Sequence, residues 1–572
     1  MTRVKLASSK DLPKPGQKKA FTAFGSGDDA LQILLSNFKG KIHATSAKCT
    51  HYGAPLENGV LTGDGCLICP WHGARFQAAT GDLEDSPALD NLLSFPTEID
   101  ENGDVYVEAE EEQLKGKPGR PVECKGQVKQ EGKGLVIIGG GSAAINAVES
   151  ARKEGYLGKI TLISSEKDAP LDRTKLSKGL VGDANALIWR SAAHLKNVLK
   201  VDLRTGTEVT GLSLKENKVQ TSSGDSIEYD NLLLATGSIA KRLPLPGAKE
   251  GELKGVHVIR EVGDVAEALA SLGDKGDKDA VVIGSSFIGF EISIAMAGQK
   301  KAKSVTVVGM DKVPLAKILG EEVGLGLQQA QSKNNGIQFY QEASVEGIEG
   351  KDGTPTAVKI KDNNGKAVSI KADVVILGVG ARPATDFLSK SAQGFPQLQK
   401  DGSIEVDSTL KVVGLPSGVD NVYAAGDIAS WPAFDGKSGL NRIEHWNVAG
   451  NQGRAVGATV ARLSGSGKNN SPQPYTRPPV FWSALGGQLR YVSDGNPAPP
   501  ELDLTYLDGN PSEGKFLAFY GRKDGSVAAV SSMGRDPVVA HCIELYANGK
   551  MLSFEDVKSG KDPLSISLGA DK

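Results

Sequence analysis

The chain has 572 residues, which is too many for one hydrophobic core and predicts three or four domains. Its 39% hydrophobic and 24% charged residues are typical of a soluble protein, and no apolar run reaches the roughly 18 residues that cross a bilayer. The net charge of −3 gives no global basic field, so we expect no nucleic-acid partner.

Residues 1–110 predict an all-β domain. Short alternating segments such as Val60–Thr62 and Val105–Val107 are separated by turns, for example at Asn102–Gly103. The segment 111–133 that follows is charged and rich in Lys, Gly and Pro, which predicts a linker.

Two cysteines and two histidines in the β domain form a ligand pattern. They occur as Cys49-Thr50-His51 and Cys69-Pro70-Trp71-His72, with 17 residues between the pairs. Each half contains one thiol, one imidazole and a glycine, which predicts two similar loops that wrap closely around a metal centre. The alternative is a structural zinc site, although each half mixes Cys with His rather than pairing like with like.

The pattern resembles the Rieske family, in which two thiolates hold one iron of a [2Fe–2S] cluster and two imidazoles hold the other. The resemblance implies that Cys49, His51, Cys69 and His72 are the ligands. Cys66 fits neither loop, and we expect it to be a small buried residue on a strand.

The ligand loops lack four side chains of high-potential Rieske proteins. Those proteins carry a further Cys in each loop, where this chain has Ala54 and Trp71. They also carry a Ser and a Tyr that hydrogen-bond the cluster and a ligand sulfur, where this chain has Ala74 and Phe76. Since such hydrogen bonds stabilise the reduced cluster, we expect a potential toward the low end of the Rieske range, roughly −150 mV and up.

A dinucleotide-binding unit follows the linker. The buried strand Leu135–Ile138 leads into a Gly-rich loop and a helix. In that loop Gly139, Gly141 and Ala144 are the small residues that let a pyrophosphate approach the helix N-terminus. Glu166, after the next strand, is placed to accept hydrogen bonds from the ribose hydroxyls.

A second unit of the same kind lies within 263–375. Its loop carries Gly284, Ser286 and Gly289 and predicts a nicotinamide dinucleotide site, although Ser286 stands where Gly is usual. The next strand ends at Gly309, where NADH-preferring proteins carry an acid. We expect NAD(P)H, with NADH favoured, because no arginine cluster for a 2′-phosphate is present there.

Two later segments resemble the strand-end signatures of pyridine-nucleotide-dependent flavoprotein reductases. They are Tyr229–Ser238, which includes Thr236 and Gly237, and Asn421–Asp427. The resemblance implies that FAD binds a domain built from 134–262 and 376–475, with the NAD(P)H domain between the two parts. It also implies that Asp427 hydrogen-bonds the flavin ribityl chain.

The segment Asp172–Lys178 resembles the flavin-side loop of apoptosis-inducing-factor and ferredoxin reductase relatives. The resemblance implies that this loop, with Arg173, lies along the isoalloxazine, and that Lys178 pairs with Glu291. A cation there would stabilise reduced, anionic flavin. The alternative is a surface ion pair worth under about 1 kcal/mol. Disulfide reductases of this fold carry a Cys pair on the segment that corresponds to Leu171–Lys178. This chain has none there, so we expect that the flavin does not reduce an active-site disulfide.

Three aromatic residues, His445, Trp446 and Trp482, match positions near the flavin in the same family, and core packing is an equal alternative for them. Residues 476–572 predict a C-terminal α+β domain with a final helix near Val538–Ala547.

The order of the domains resembles the Rieske-containing apoptosis-inducing-factor-like oxidoreductases over essentially the whole chain. The resemblance implies an enzyme that passes electrons from NAD(P)H through FAD to the Rieske cluster and on to an acceptor, such as a soluble protein or an oxygenase. The alternative is a redox-sensing or death-signalling protein whose cofactors are mainly regulatory.

Location and assembly are expectations from composition alone. The five cysteines form no disulfide framework, which is typical of a reducing compartment. The N-terminus is basic, so mitochondrial targeting is an alternative, but Asp11, Pro13 and Pro15 oppose an amphipathic helix and we expect a cytoplasmic protein. A second copy of the chain, in a homodimer, is a further candidate partner.

Overall fold

The N-terminal region folds into small antiparallel sheets. The computed structural model describes residues 2–116, 118–129, 131–391, 393–465, 471–496 and 504–570. The first sheet has the strand order Thr2–Ala7, Val105–Ala109 and Thr97–Ile99. The second has the order Ser94–Phe95, Lys41–Ser46, Leu31–Phe38 and Lys18–Phe24. The third has the order Val60–Leu61, Cys66–Ile68, Arg75–Gln77 and Leu83–Asp85. The predicted all-β domain is confirmed, and Cys66 is buried on a strand as expected.

The segment expected to be a linker follows the surface of this domain. Gly119–Arg120 pairs with Asn91–Leu92, after a single-turn helix at Glu111–Leu114. Leu114 packs into the core of the β domain, and Val122 packs into the core of the next domain. The segment therefore holds the two domains together.

A five-stranded parallel sheet forms the first dinucleotide domain. Its strands lie in the order Val201–Arg204, Ile160–Ile163, Leu135–Ile138, Asn231–Leu234 and Val422–Ala424. The helices Ser142–Lys153 and Trp446–Leu463 pack tightly on each other, since a Cβ on Gly453 would lie 2.0 Å from the Ala143 carbonyl. Because the last strand and the second helix follow residue 376, two separated parts of the chain build one domain.

Shorter elements surround this sheet. The helices are Thr174–Gly179, Ala192–Asn197 and Asp386–Ser391. The strands are Val209–Ser213, Lys218–Thr221, Ser226–Glu228, Ser238–Ala240, Ala381–Pro383, Ile404–Glu405, Ala429–Pro432 and Leu440–Asn441.

The second dinucleotide domain has its own parallel sheet. The strand order is Val256–His257, Val374–Leu377, Asp279–Ile283, Ser304–Val308 and Gln338–Tyr340. The helices are Val262–Leu272, Phe287–Gly298 and Ala316–Asn335, and an antiparallel sheet contains Ser344–Lys351, Thr354–Lys361 and Ala367–Lys371. The parallel sheet extends beyond the predicted range 263–375. Its strand Val256–His257 lies before this range and pairs with Val374–Leu377, which ends after it.

The C-terminal region is a five-stranded antiparallel sheet with helices. The strands lie in the order Val480–Ala484, Gln488–Ser493, Val527–Met533, Lys515–Gly521 and Leu504–Asn510. The predicted helix Val538–Ala547 is confirmed, and Phe554–Lys558 forms another. Among the helices of the described residues, none has the length and apolar character to cross a membrane.

The β domain and the C-terminal region share their hydrophobic cores. Val60 and Ile68 lie in the apolar cluster of the C-terminal region, which includes Phe519 and Ile543. In return, Ala570 lies in the core of the β domain. This exchange of apolar residues fixes the β domain against the rest of the molecule.

Candidate redox site

The two ligand loops are copies of one turn, Cys49–Ala54 and Cys69–Ala74. In each, the Cys amide donates a 2.8 Å hydrogen bond to the carbonyl of the Ala five residues later. The Gly before that Ala donates back to the Cys carbonyl. These glycines, Gly53 and Gly73, have φ values of +80° and +73°, which other residues rarely adopt. The near-repeat in sequence is therefore a repeat of backbone structure.

The four predicted ligand side chains meet between these loops. The Cys49 and Cys69 thiols are close enough to influence each other's pKa, and the Nδ1 atoms of His51 and His72 lie 3.0 Å apart. All four side chains are buried, and each histidine is 3% exposed. Burial raises the pKa of the Cys49 thiol and lowers the pKa of His72, so His72 is neutral and offers a lone pair to a metal.

This donor set fits a two-iron cluster. Across the described ranges, no three Cys, His, Asp or Glu side chains are grouped around a single ion position. The ligands form a thiol pair and an imidazole pair, which is the arrangement of a cluster in which each iron takes two protein ligands. A structural zinc site instead needs four ligands around one ion.

The histidine face of the ligand site contacts the rest of the chain. The ring centroids of His72 and Trp482 are 4.3 Å apart, and those of His51 and Trp189 are 5.8 Å apart. The Asn447 side chain donates to the His72 carbonyl at 3.3 Å. The ligand loops thus face the dinucleotide and C-terminal domains rather than solvent.

Charged residues around this interface reinforce the contact. Arg477 pairs with Asp85 at 2.8 Å, and Arg190 pairs with Asp90 at 2.6 Å. The Arg454 side chain donates to two carbonyl groups of the β domain, at 2.8 and 3.0 Å. Arg454 is buried, so these bonds form out of water, where they hold position most strongly.

A cavity of about 590 Å³ opens at the carboxyl ends of the first parallel sheet, and this volume is typical of a cofactor site. It is lined by six residues predicted to bind FAD, namely Gly139, Gly141, Glu166, Arg173, Thr236 and Gly237. A Cβ on Gly139 would lie 2.0 Å from the Ala235 carbonyl, whereas one on Gly141 would meet no atom within 4 Å. Gly139 therefore makes the turn and Gly141 leaves open space at the helix N-terminus.

Other predicted FAD residues lie around this cavity. Glu166 and Arg173 form an ion pair on its wall. Asp427 accepts a 2.7 Å hydrogen bond from Ser238 and pairs at 3.2 Å with Arg260, and both partners line the cavity. Ala144 does not line the cavity. It is fully buried in the first helical turn.

The second Gly-rich loop has the same tight turn. A Cβ on Gly284 would lie 2.2 Å from the Gly378 carbonyl, and one on Gly289 would lie 2.1 Å from the Gly284 carbonyl. Ser286 sits at the N-terminus of helix Phe287–Gly298 and donates a 3.3 Å hydrogen bond to Gly378. The serine thus fits the turn without blocking the loop.

At the end of the next strand, a side chain on Gly309 would displace those of Gln341 and Ser285. A Cβ on Gly309 would lie 2.2 Å from Gln341 Oε1 and 2.3 Å from Ser285 Oγ. Asp311, two residues on, instead pairs with Lys317 at 3.1 Å. Ser285 and Gln341, which hydrogen-bond each other at 3.3 Å, lie beside this strand end.

Two families match this sequence. Residues 2–96 match the Rieske [2Fe-2S] domain, and residues 133–453 match pyridine nucleotide-disulphide oxidoreductases. The second match covers more than half of the chain. The chain belongs to the pyridine nucleotide-disulphide oxidoreductase family.

Several relatives of this oxidoreductase extend the match. Apoptosis-inducing factor 3 from Homo sapiens is 34% identical over 532 residues, which cover 92% of this chain and 82% of that protein. The ferredoxin–NAD(+) reductase component of the biphenyl dioxygenase system from Paraburkholderia xenovorans is 30% identical, over 70% of this chain and 89% of that protein. The structure of the ferredoxin reductase for the CYP199A2 system from Rhodopseudomonas palustris aligns with a TM-score of 0.65 and 25% identity, covering 76% of this chain and 99% of that one.

These matches confirm the fold class, the cofactors and the type of activity. The oxidoreductase has a Rieske domain with a [2Fe–2S] cluster, uses FAD and NAD(P)H, and transfers electrons from NAD(P)H through FAD. The cavity lined by Gly139 and Gly141 and the paired ligands of the Rieske loops are where this chain offers room for FAD and for the cluster.

The oxidoreductase forms the predicted Lys178–Glu291 pair. The two side chains are 3.0 Å apart, and the exposed fraction is 20% for Lys178 and 2% for Glu291. Ser177 and Ser483 each donate a 2.5 Å hydrogen bond to the Glu291 carboxylate. The pair is therefore part of a buried network and differs from the surface ion pair that was the alternative.

Aromatic side chains pack near this pair and near the Rieske ligands. His445 contacts Trp482, with ring centroids 4.8 Å apart, and Trp446 contacts Trp189 at 4.9 Å. Burial, together with the charge of Lys178, lowers the pKa of His445 to about 3. His445 is therefore neutral near pH 7 and donates no proton.

Three further residues of the site become apparent only in the structure. Trp189 and Asn447 contact the ligand loops, but neither stands in a local pattern that could have revealed this. Tyr52 had a weak signal, since it directly follows His51. In the structure its hydroxyl donates to Asp172 in the loop that carries Lys178.

Proposed function

We propose that the chain moves electrons from NAD(P)H through FAD to its own Rieske cluster, and from the cluster to an external acceptor. The contact that supports this route is the 4.3 Å separation of the His72 and Trp482 rings. His72 is a proposed cluster ligand, and Trp482 packs on His445 beside Lys178. One polypeptide thus joins the two redox sites through packed side chains.

The Rieske domain, in this proposal, takes the place of a separate iron–sulfur partner. Several relatives are named as ferredoxin–NAD(+) reductases. Here an iron–sulfur domain is part of the chain and is held by shared apolar cores and by ion pairs such as Arg190–Asp90. Fixed docking favours transfer within one chain over diffusion between partners.

Lys178 and Glu291 have the proposed role of setting the charge beside the flavin. FAD, when bound, accepts a hydride from NAD(P)H and can release its electrons singly. The Lys178 ammonium supplies positive charge where negative charge develops. Glu291 holds that ammonium at 3.0 Å and is itself held by two serine hydroxyls, so the cation needs no reorganisation during turnover.

A single-turnover experiment tests the intramolecular route. Anaerobic protein loaded with cluster and FAD is mixed with a stoichiometric amount of NADH, and flavin and cluster reduction are followed by stopped-flow absorbance and freeze-quench EPR. We expect the rate of cluster reduction to be independent of protein concentration. A rate that rises in proportion to concentration, or a cluster that stays oxidised, contradicts the proposal.

Trp482→Leu tests the contact itself. We expect flavin reduction by NADH at close to the normal rate and slower cluster reduction, because the packing beside His72 is lost. Trp431→Leu is the matched control, since Trp431 is also buried but lies in the FAD domain core. Equal slowing in both variants would reflect general destabilisation and would contradict a role for the His72–Trp482 contact.

A further inference from the structure

A second cavity, of about 610 Å³, lies against the Rieske ligands. Aromatic and apolar side chains form much of its wall, namely Tyr52, Trp71, His72, Trp482 and Met533. Since the His72 Nδ1 atom faces His51, the opposite edge of the ring is the one available to the cavity. A small molecule in this space would therefore touch a cluster ligand directly.

Three cations line the cavity wall, and each has a carboxylate partner. Lys175 lies 3.9 Å from Asp172, Lys178 lies 3.0 Å from Glu291, and Arg490 lies 3.5 Å from Asp536. Arg490 is 5% exposed, and its partners are distant, with Gln488 Oε1 at 3.4 Å and Asp536 Oδ2 at 3.5 Å. The Nε atom of Arg490 is buried and has no hydrogen-bond partner among the described residues, so the hydrogen bonding of this guanidinium is incomplete. An anion in the cavity would supply a hydrogen-bond acceptor.

The lining of this cavity differs from that of the FAD cavity. None of its lining residues belongs to the second dinucleotide domain, and none lines the FAD cavity. It reaches the proposed flavin side through Thr174, Lys175 and Lys178 of the flavin-side loop and through Trp482.

The docking of the Rieske domain also restricts which acceptors can reach the histidines. His51 and His72 are each 3% exposed, so no macromolecule can touch either ring while the domain is docked. The shared cores and the buried Arg454 bonds oppose undocking. A small molecule can enter the cavity beside His72 without any domain movement.

We propose that this cavity binds a small, planar, anionic molecule that accepts single electrons at the edge of His72 that lines the cavity. The proposal rests on the proposed function and adds the class of the acceptor. The overall balance is that one NADH yields NAD⁺, one proton and two electrons, and that two acceptor molecules each take one electron and become radical anions of one further negative charge. The proton passes to water.

A redox-inert planar anion, naphthalene-2-sulfonate, tests the binding site without turnover. Binding to cluster- and FAD-loaded protein is measured by isothermal titration calorimetry, and the EPR spectrum of the dithionite-reduced cluster is recorded with and without it. We expect saturable binding and a change in the cluster g-values, because the ligand contacts His72. Absence of binding, or binding that leaves the EPR spectrum unchanged, overturns the proposal.

Two variants locate the bound anion. Lys175→Glu reverses a charge on the wall, and we expect binding to weaken about tenfold. Gln488→Trp places a large ring at an exposed position of the wall, and we expect it to abolish binding. Lys275→Glu makes the same charge change at an exposed position away from the cavity and is expected to bind normally. Equal affinity in Lys175→Glu and Lys275→Glu overturns the proposal.

Turnover with 1,2-naphthoquinone-4-sulfonate separates this proposal from the proposed function. NADH-dependent cluster reduction without any acceptor tests the proposed function alone. We expect Gln488→Trp to retain that reduction and to lose oxidation of the cluster by the sulfonated quinone. If this variant still passes electrons to the quinone at the normal rate, the cavity is not the acceptor site.

Discussion

The ion pairs of Arg190 offer a quantitative test of how the redox domains are joined. Arg190 contacts Asp90 of the Rieske domain and Glu149 of the FAD domain, at 2.6 Å each. Glu149 is fully buried, and burial raises its pKa from 4.5 to about 7 even beside this cation. Arg190→Met leaves that carboxyl buried without its partner. We therefore expect the free energy of unfolding near pH 8 to fall by about 3–5 kcal/mol.

The pKa of Glu149 also gives the direction of the pH dependence. Between pH 4.5 and about 7 the folded state binds more protons than the unfolded state, whose carboxyl titrates normally. The contribution of this group to stability is therefore complete below pH 4.5 and is lost as the pH rises through about 7. The shift corresponds to about 3 kcal/mol. Glu149→Gln should remove this loss, because an amide does not titrate.

Urea unfolding followed by tryptophan fluorescence, at about pH 5 and about pH 8, measures both effects. Arg204→Met is the control, because Arg204 pairs with the more exposed Asp202 and Asp225, and should cost under about 1 kcal/mol. The reasoning is refuted if Arg190→Met costs no more than Arg204→Met, or if Glu149→Gln keeps the full pH dependence of the wild type.

Three further predictions concern the redox centres. An EPR-monitored titration should place the cluster midpoint toward the low end of the Rieske range, roughly −150 mV and up. A value of about +300 mV would contradict the inference that Ala74 and Phe76, which supply no hydrogen bonds to the cluster, leave its potential low. Arg490→Gln should lower the midpoint of the cluster, because a buried cation near Cys69 stabilises the reduced cluster. The shift is about 60 mV for each 1.4 kcal/mol of lost stabilisation. An unchanged midpoint would show that Arg490 does not act on the cluster. Lys178→Ala should slow NADH-dependent flavin reduction at least about tenfold in stopped-flow, whereas Lys167→Ala, an exposed control, should not, and a normal rate in both would end the proposed role of Lys178.

The ligand loops were predictable from sequence because their structure is local. Each turn is closed by hydrogen bonds between residues four or five apart, and each needs a glycine at one position. The same holds for the Gly-rich loop at Gly139, where one strand, one tight turn and one helix follow each other directly. Local repeats of this kind can be recognised before any long-range contact is known.

The setting of Lys178 and Glu291 was predictable only in part. A family resemblance indicated the pair, and the 3.0 Å separation agrees with it. Its burial was not predictable, because Ser483, which helps to bury and hold Glu291, is 192 residues away along the chain. Burial is what separates this network from an ordinary surface ion pair.

The sequence by itself determined the family of this protein and predicted its site residues: four cluster ligands, two dinucleotide loops and a flavin-side segment without a disulfide pair. These follow from residue types at short spacing, which local backbone geometry constrains. Only the tertiary structure decided that the Rieske domain is docked with its histidines against Trp482, that a cavity lined by three cations lies beside His72, and that the expected linker is tied to both neighbouring domains. Those features depend on apolar burial and hydrogen bonds between distant residues, such as His72 and Asn447, 375 positions apart, and no local pattern encodes which distant surfaces will pack together.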